Sequence, residues 1–181
     1  MSSNRRTLLS LLFVLALGAA WFGVTSYIRA HVDDLIHASV GRHLPAFSLV
    51  DRTGRTWTDA DVQGRRAVLH FFRSRCGACE AEAPAIRALE ANLPGDVVLL
   101  HVMTDAVLEF EPELTAQTLA GKRFTRPVLM ADAAFVNAFH KLAWSSVTPI
   151  TYVVDAGGVV RFGLRGAQTE AAIEQALAAA R

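Results

Sequence analysis

Two cysteines stand three positions apart, as Cys76-Gly77-Ala78-Cys79, in a chain that has no others. A thiol is a nucleophile only as the thiolate, so the question is what stabilises the anion. A compact apolar run, Ala67–Phe72, precedes the pair and an approximate helical stripe follows it. Cys76 is therefore predicted to open a helix. There, unpaired N–H groups and the positive end of the helix dipole favour negative charge on sulfur. Cys79 falls one turn further on, within reach of a mixed disulfide formed at Cys76. Position predicts the roles, with Cys76 the more exposed attacking thiol and Cys79 the more buried resolving one. Two plainer readings stand beside this. A structural disulfide over so short a spacer closes too small a loop to staple a fold well. A metal pair would need histidines from elsewhere in the chain. The spacing favours redox chemistry over both.

The elements that must position the pair can be read from periodicity and punctuation. Strands are predicted at Ala46–Val50, Arg55–Thr58, Ala67–Phe72, Val97–Val102, Pro127–Met130, Ile150–Val154 and Val159–Leu164. Asp51-Arg52-Thr53-Gly54 and Asp155-Ala156-Gly157-Gly158 read as turns. Helices are predicted over Cys76–Leu93, with Pro84 as a kink, and from Pro112 toward Gly121. Two more are predicted over Ala133–Leu142 and Thr169–Ala180. Strands alternating with helices and ending in a hairpin predict an α/β sheet sandwiched between helices.

Composition limits what else the chain can be. Of 181 residues, 52% are apolar and 19% charged, which excludes disordered, collagen-like and coiled-coil classes. Lys and Arg number 18 against 17 Asp and Glu. The resulting +1 provides no basic field for nucleic acid, so no nucleic-acid partner is expected.

The amino terminus reads as a membrane signal. Residues 1–7 form a polar cytoplasmic segment with Arg5 and Arg6. Leu8 to Ile28 follows as an apolar run that makes about 31 Å of helix, enough to cross a bilayer core. The arginines precede the span, which keeps the amino terminus inside and exports the bulk of the chain to an oxidising compartment. We read 8–28 as a single-pass signal anchor, 29–43 as a polar linker and 44–181 as the folded domain. The alternative is a signal peptide cleaved after Ala20 or Ser26, releasing the domain.

Residues from about 44 onward resemble the thioredoxin superfamily, and within it the membrane-anchored TlpA/ResA/CcmG-like thiol–disulfide oxidoreductases. The resemblance is carried by Leu44-Pro45-Ala46-Phe47-Ser48-Leu49, Gly64 and Val68-Leu69-His70-Phe71-Phe72. It continues in Cys76-Gly77-Ala78-Cys79-Glu80-Ala81-Glu82-Ala83-Pro84 and in Val147-Thr148-Pro149-Ile150-Thr151-Tyr152-Val153-Val154-Asp155 with Gly158. It implies a thioredoxin-like fold, a central mixed sheet flanked by helices, behind an N-terminal transmembrane helix. It also implies a redox-active Cys76–Cys79 disulfide. The Thr148–Pro149 bond would be cis and packed against that disulfide, where it holds an extended substrate. Glu82 would lie near the cysteines and tune their protonation, the other reading being a solvated helix-face carboxylate. The implied activity is reduction of protein disulfides on the outer face of a bacterial inner membrane, in the periplasm. The implied partners are protein disulfide or dithiol substrates and a membrane thiol electron donor, often ahead of haem or copper insertion. No cofactor and no bound metal are implied.

The chain departs from that pattern in three places. Arg75, with Arg73, stands where the family usually has Trp before the first cysteine, in reach of a thiolate or an acidic partner. Gly77-Ala78 replaces a spacer that more often carries proline. His70 occupies the strand position where thioredoxins place a buried carboxylate. An imidazole there can act as general base for Cys79, or be a hydrogen-bonded core histidine. Trp144 precedes the Val147-Thr148-Pro149 loop as a candidate for the substrate groove, or as packing. Two other functions compete with this one. A peroxiredoxin-like peroxidase shares the fold, but Phe72-Arg73-Ser74-Arg75-Cys76 lacks its usual Pro-x-x-x-Thr-x-x-Cys context. A copper-handling module would use Cys76, Cys79 and a histidine such as His140.

Overall fold

The computed structural model describes residues 2–139 and 145–180. It divides into two units, Met1–Asp34 and Leu35–Arg181. The first unit is part of helix α1 (Ser2–His37), which is long and apolar enough to cross a membrane. Its large apolar side chains, Leu8, Phe13, Leu15, Trp21 and Phe22 among them, are exposed, as lipid-facing residues are. The helix continues through 29–37, where a linker was expected. No glycine or proline interrupts the chain between Val24 and Val40, and the first breaker is Gly41 in the left-handed region, at φ +84°.

The second unit is built on a five-stranded sheet in the order β5-β4-β3-β6-β7. Its strands are β3 (Arg66–Phe72), β4 (Val97–Met103), β5 (Val128–Met130), β6 (Ile150–Val154) and β7 (Val160–Arg165). A separate antiparallel pair, β1 (Ser48–Val50) and β2 (Thr56–Thr58), precedes it. β4 pairs parallel with β3 and β5, while β6 runs antiparallel to β3 and β7. The sheet is thus mixed, as the resemblance implied. Every residue of β4, and every residue of β3 after Arg66, is buried. Central strands covered on both faces read as continuous apolar runs for that reason.

The helices are α2 (Gly77–Asn92), α3 (Pro112–Lys122), α4 (Ala133–Phe139) and α5 (Glu170–Ala179). α2 lays Cys79, Ala83, Ile86 and Leu89 into the same core as Val68, Phe72, Phe124 and Ile173. On the other side Phe71 packs among Phe135, Phe139 and Tyr152. Strand and helix limits fall within a few residues of the positions expected from the sequence. Asp51 closes the β1–β2 turn by accepting from Thr53, Arg55 and the Trp57 indole. Burial opposes its charge, but these donors hold its carboxyl down to about 2.

Within this unit Ile36 is buried against β7. A Cβ placed on Gly163 would come within 2.6 Å of Ile36 Cγ2 and 3.2 Å of the Tyr152 ring.

Candidate active site

β3 ends at Phe72, a three-residue turn follows, and Cys76 caps the N-terminus of α2 with extended backbone. Its Sγ accepts the N–H of Cys79 at 3.1 Å, so the cap bond that usually belongs to Ser or Asp is made by sulfur. Cys76 and Cys79 form a disulfide of 2.05 Å. Cys76 is 6% exposed and Cys79 2%, the order expected of attacker and resolver, although both are buried in the oxidised pair.

The turn is braced from both sides. Arg75 takes a left-handed backbone at φ 51°, a conformation a non-glycine residue holds only where its surroundings impose it. Arg73 donates to the carbonyls of Ser74 and Arg75 at 2.9 and 3.0 Å, and across to the carbonyl of Ser146 at 3.1 Å. From below, the buried carboxylate of Asp105 accepts the Ser74 N–H at 2.7 Å, the Ser74 hydroxyl, and the Thr115 hydroxyl at 2.8 Å. Arg73 is therefore occupied by backbone carbonyls. The Arg75 guanidinium lies over the Phe110 ring, 5.8 Å from its centroid.

The Thr148–Pro149 peptide is cis. The Thr148 carbonyl oxygen lies 3.5 Å, and its hydroxyl 3.4 Å, from Cys76 Sγ. The structure therefore brings Cys76, Cys79, Thr148 and Pro149 to one place. Trp144 and His140 fall outside the described residues.

Behind the pair, Glu82 is buried rather than solvated: it is 1% exposed, and its Oε2 meets His70 Nε2 at 3.1 Å. Its Oε1 accepts the N–H of Gln168 at 2.9 Å. Two further residues escaped the sequence reading. His101 Nδ1 faces His70 Nδ1 at 3.0 Å, and His101 Nε2 meets Glu90 Oε1 at 2.8 Å. Burial pushes the His101 imidazole down to about 4. Burial opposes ionisation of Glu90, but His101 and the backbone N–H groups of Arg126 and Thr125 bring it down to about 2. The available signal was that each histidine stands fifth in a seven-residue apolar strand. Lys122 also escaped notice. Its ammonium is buried and donates to the Cys79 carbonyl at 2.8 Å, and it pairs with Glu80 at 2.8 Å. Among the described residues no group of three or more His, Cys, Asp or Glu could hold a metal ion.

A cysteine pair on a helix N-terminus, facing a cis-proline at the start of an antiparallel strand of a mixed sheet, defines a thioredoxin-like thiol–disulfide oxidoreductase. Residues 40–162 match the model of the AhpC/TSA family, and the chain belongs to that family. It is 28% identical over 180 residues to thiol-disulfide oxidoreductase ResA of Geobacillus kaustophilus, covering 98% of this chain and 97% of that protein. To thioredoxin-like protein YneN of Bacillus subtilis it is 26% identical over 137 residues, 76% and 78% of the two chains. A thiol:disulfide interchange protein of Chlorobium tepidum superposes with a TM-score of 0.62 at 18% identity. That match covers 77% of this chain and 96% of that one. StoA of Bacillus subtilis gives 0.59 at 17% identity, over 74% and 96%. These two structures share the thioredoxin-like fold.

Proposed function

We propose that this chain exchanges disulfides with protein partners outside the cytoplasm, held to a bacterial inner membrane by α1 and facing the periplasm. The observation that carries the reading is the Thr148 carbonyl and hydroxyl set against Cys76 Sγ by the cis peptide. An extended partner laid along that backbone would present its own sulfur to Cys76. As a reductase, the Cys76 thiolate attacks a partner disulfide, forms a mixed disulfide and expels one partner thiolate, which takes up a proton. Cys79 then attacks Cys76 Sγ, expels the second partner thiolate and closes the Cys76–Cys79 bond. Two electrons pass to the partner, and a membrane thiol donor restores the dithiol. In this reading Thr148 and Pro149 bind the partner backbone, and Glu82 with His70 serves proton movement at Cys79. Arg75, exposed at the mouth of the site, favours an acidic partner.

The test uses the full chain in detergent with a disulfide-bonded peptide. Cys76→Ser is expected to abolish turnover, and Cys79→Ser to accumulate a mixed disulfide visible by mass. Retained turnover in both variants would overturn the reading. Consumption of peroxide by the reduced chain faster than peptide reduction would replace it with the peroxidase alternative.

A further inference from the structure

Glu82, His70, His101 and Glu90 form one buried line, with contacts of 3.1, 3.0 and 2.8 Å between successive side chains. The line follows from register. His70 and His101 are partners across the parallel β3–β4 pair, so their rings share one face of the sheet. Glu82 and Glu90 lie about two turns apart on α2, which covers that face.

Counting protons assigns the tautomers when His101 is neutral, the state that its complete burial favours. Each contact joins two heteroatoms and needs one hydrogen between them, so three contacts hold three protons. The Glu90 carboxylate already accepts from Thr125 N–H, Thr125 Oγ1–H and Arg126 N–H. It offers only lone pairs, so His101 must donate from Nε2. A neutral His101 protonated at Nε2 has a bare Nδ1. His70 must then carry its hydrogen on Nδ1, and its Nε2 faces Glu82 Oε2 without one of its own. The third proton therefore lies between His70 and Glu82, as carboxylic acid and imidazole or as carboxylate and imidazolium. The downward shifts at Glu90 and His101 agree with an ionised Glu90 and a neutral His101. Without the far half of the line, His70 is free to turn its own N–H toward Glu82, and no extra proton is held.

We propose that Glu90 and His101 are positioning residues that fix the His70 tautomer, and so store one transferable proton on the His70–Glu82 pair beside Cys79. The proposal rests on the exchange reaction above. Cys79 lies one helical turn before Glu82 on the buried face of α2. When an incoming thiolate attacks Cys76 Sγ, the Cys76–Cys79 bond breaks and its electron pair stays on Cys79 Sγ. The stored proton moves to that sulfur, leaving Glu82 as carboxylate facing the bare His70 Nε2. In the reverse step Cys79 returns the proton to the pair as it attacks Cys76 Sγ in the mixed disulfide. The store is full in the disulfide form and empty in the dithiol form.

Charged and polar groups of the neighbouring elements lie around this line. Lys122 of α3 meets the Cys79 carbonyl and Glu80. Arg126, ahead of β5, donates to the Glu90 carbonyl at 3.3 Å. Arg52, after β1, donates to the carbonyl of Phe124, whose ring stacks on His101. Arg87 of α2 donates to the carbonyl of Lys122. From β6, Thr151 stands opposite His70, and the Gln168 N–H ahead of α5 meets Glu82.

The test has two readouts on the full chain in detergent. Imidazole nitrogen chemical shifts of the oxidised parent are expected to show His101 protonated at Nε2 and bare at Nδ1, with His70 protonated at Nδ1. A His70 bare at Nδ1 would overturn the proposal. The second readout is the slope of the Cys76–Cys79 midpoint potential against pH between about 6 and 8. In His101→Phe the proton for Cys79 must come from solvent, so the slope is expected to steepen by one proton per two electrons. Glu90→Gln can keep an amide oxygen in the place of Oε1, and is expected to retain both the parent tautomers and the parent slope. A parental slope in His101→Phe would overturn the store. If the cysteine pair shows no reversible transition, the exchange reading itself fails, while the nitrogen shifts still decide the tautomers.

Discussion

The Lys122 ammonium, 1% exposed, donates to the backbone carbonyl of Cys79 at 2.8 Å. A positive charge this close to the pair stabilises a thiolate, and hence the reduced form, relative to the disulfide. Lys122→Met keeps the length of the chain and removes the charge. Its partner Glu80 is largely exposed, so no buried carboxylate is stranded and stability should stay within about 2 kcal/mol of the parent. The midpoint potential should become more negative, as read by equilibration against thiol buffers. An unchanged or more positive potential would count against the electrostatic role.

Acid should destabilise the fold in two stages. His101 is shifted down from 6.5 to about 4, so the unfolded chain binds more protons than the folded one between those values. The stability it contributes is complete above 6.5 and is lost as pH falls toward 4. Glu90, shifted from 4.5 to about 2, and Asp51, shifted from 3.8 to about 2, add a second loss at lower pH. Urea midpoints should therefore fall on acidification from near neutrality, and more steeply below 4.5. A midpoint that stays flat until pH 4.5 would rule out the neutral, buried His101.

Gly163 is required for its size. Its φ lies outside the left-handed region, so alanine meets no backbone penalty there. The added methyl would stand 2.6 Å from Ile36 Cγ2. Gly163→Ala should cost about 1–3 kcal/mol through overpacking, measured by thermal or urea unfolding. A neutral result would mean that Ile36 moves aside freely.

Thr151 Oγ1 is, among the described residues, a buried side-chain oxygen with no hydrogen-bond partner. Thr151→Val removes the unsatisfied hydroxyl at nearly constant shape, and should stabilise the oxidised protein by about 1 kcal/mol. Comparing melting temperatures of the oxidised and reduced forms refines this. A gain confined to the oxidised form would indicate that the hydroxyl finds a partner once the disulfide opens.

The parts of the site legible in the sequence are those whose chemistry is local. Cys76 and Cys79 announce themselves by spacing, and the apolar run before them together with the helical stripe after them places the pair on a helix N-terminus. The cis geometry of Thr148–Pro149 was open to the resemblance alone, because X-Pro bonds default to trans. His101 and Glu90 were invisible for a different reason. Their contact with His70 depends on β3 and β4 pairing in one particular register, and on the phase of α2 above them, and neither is encoded within a short window. The linker expected at 29–43 rested on the polarity of Asp33, Asp34 and His37. Polarity does not end a helix where no glycine or proline intervenes.

The Asp105 carboxylate has a consequence for how a partner is received. It ties the Ser74 backbone and side chain to Thr115 of α3, while Arg73 ties the same turn to Ser146, ahead of the cis-proline. The loop bearing Cys76 is thereby fixed before any encounter, and its conformational entropy is already spent in folding. Ordering on association then falls almost wholly to the partner. Affinities along a series of partners should rank by how readily each adopts an extended strand, since this chain offers the same rigid template to all of them.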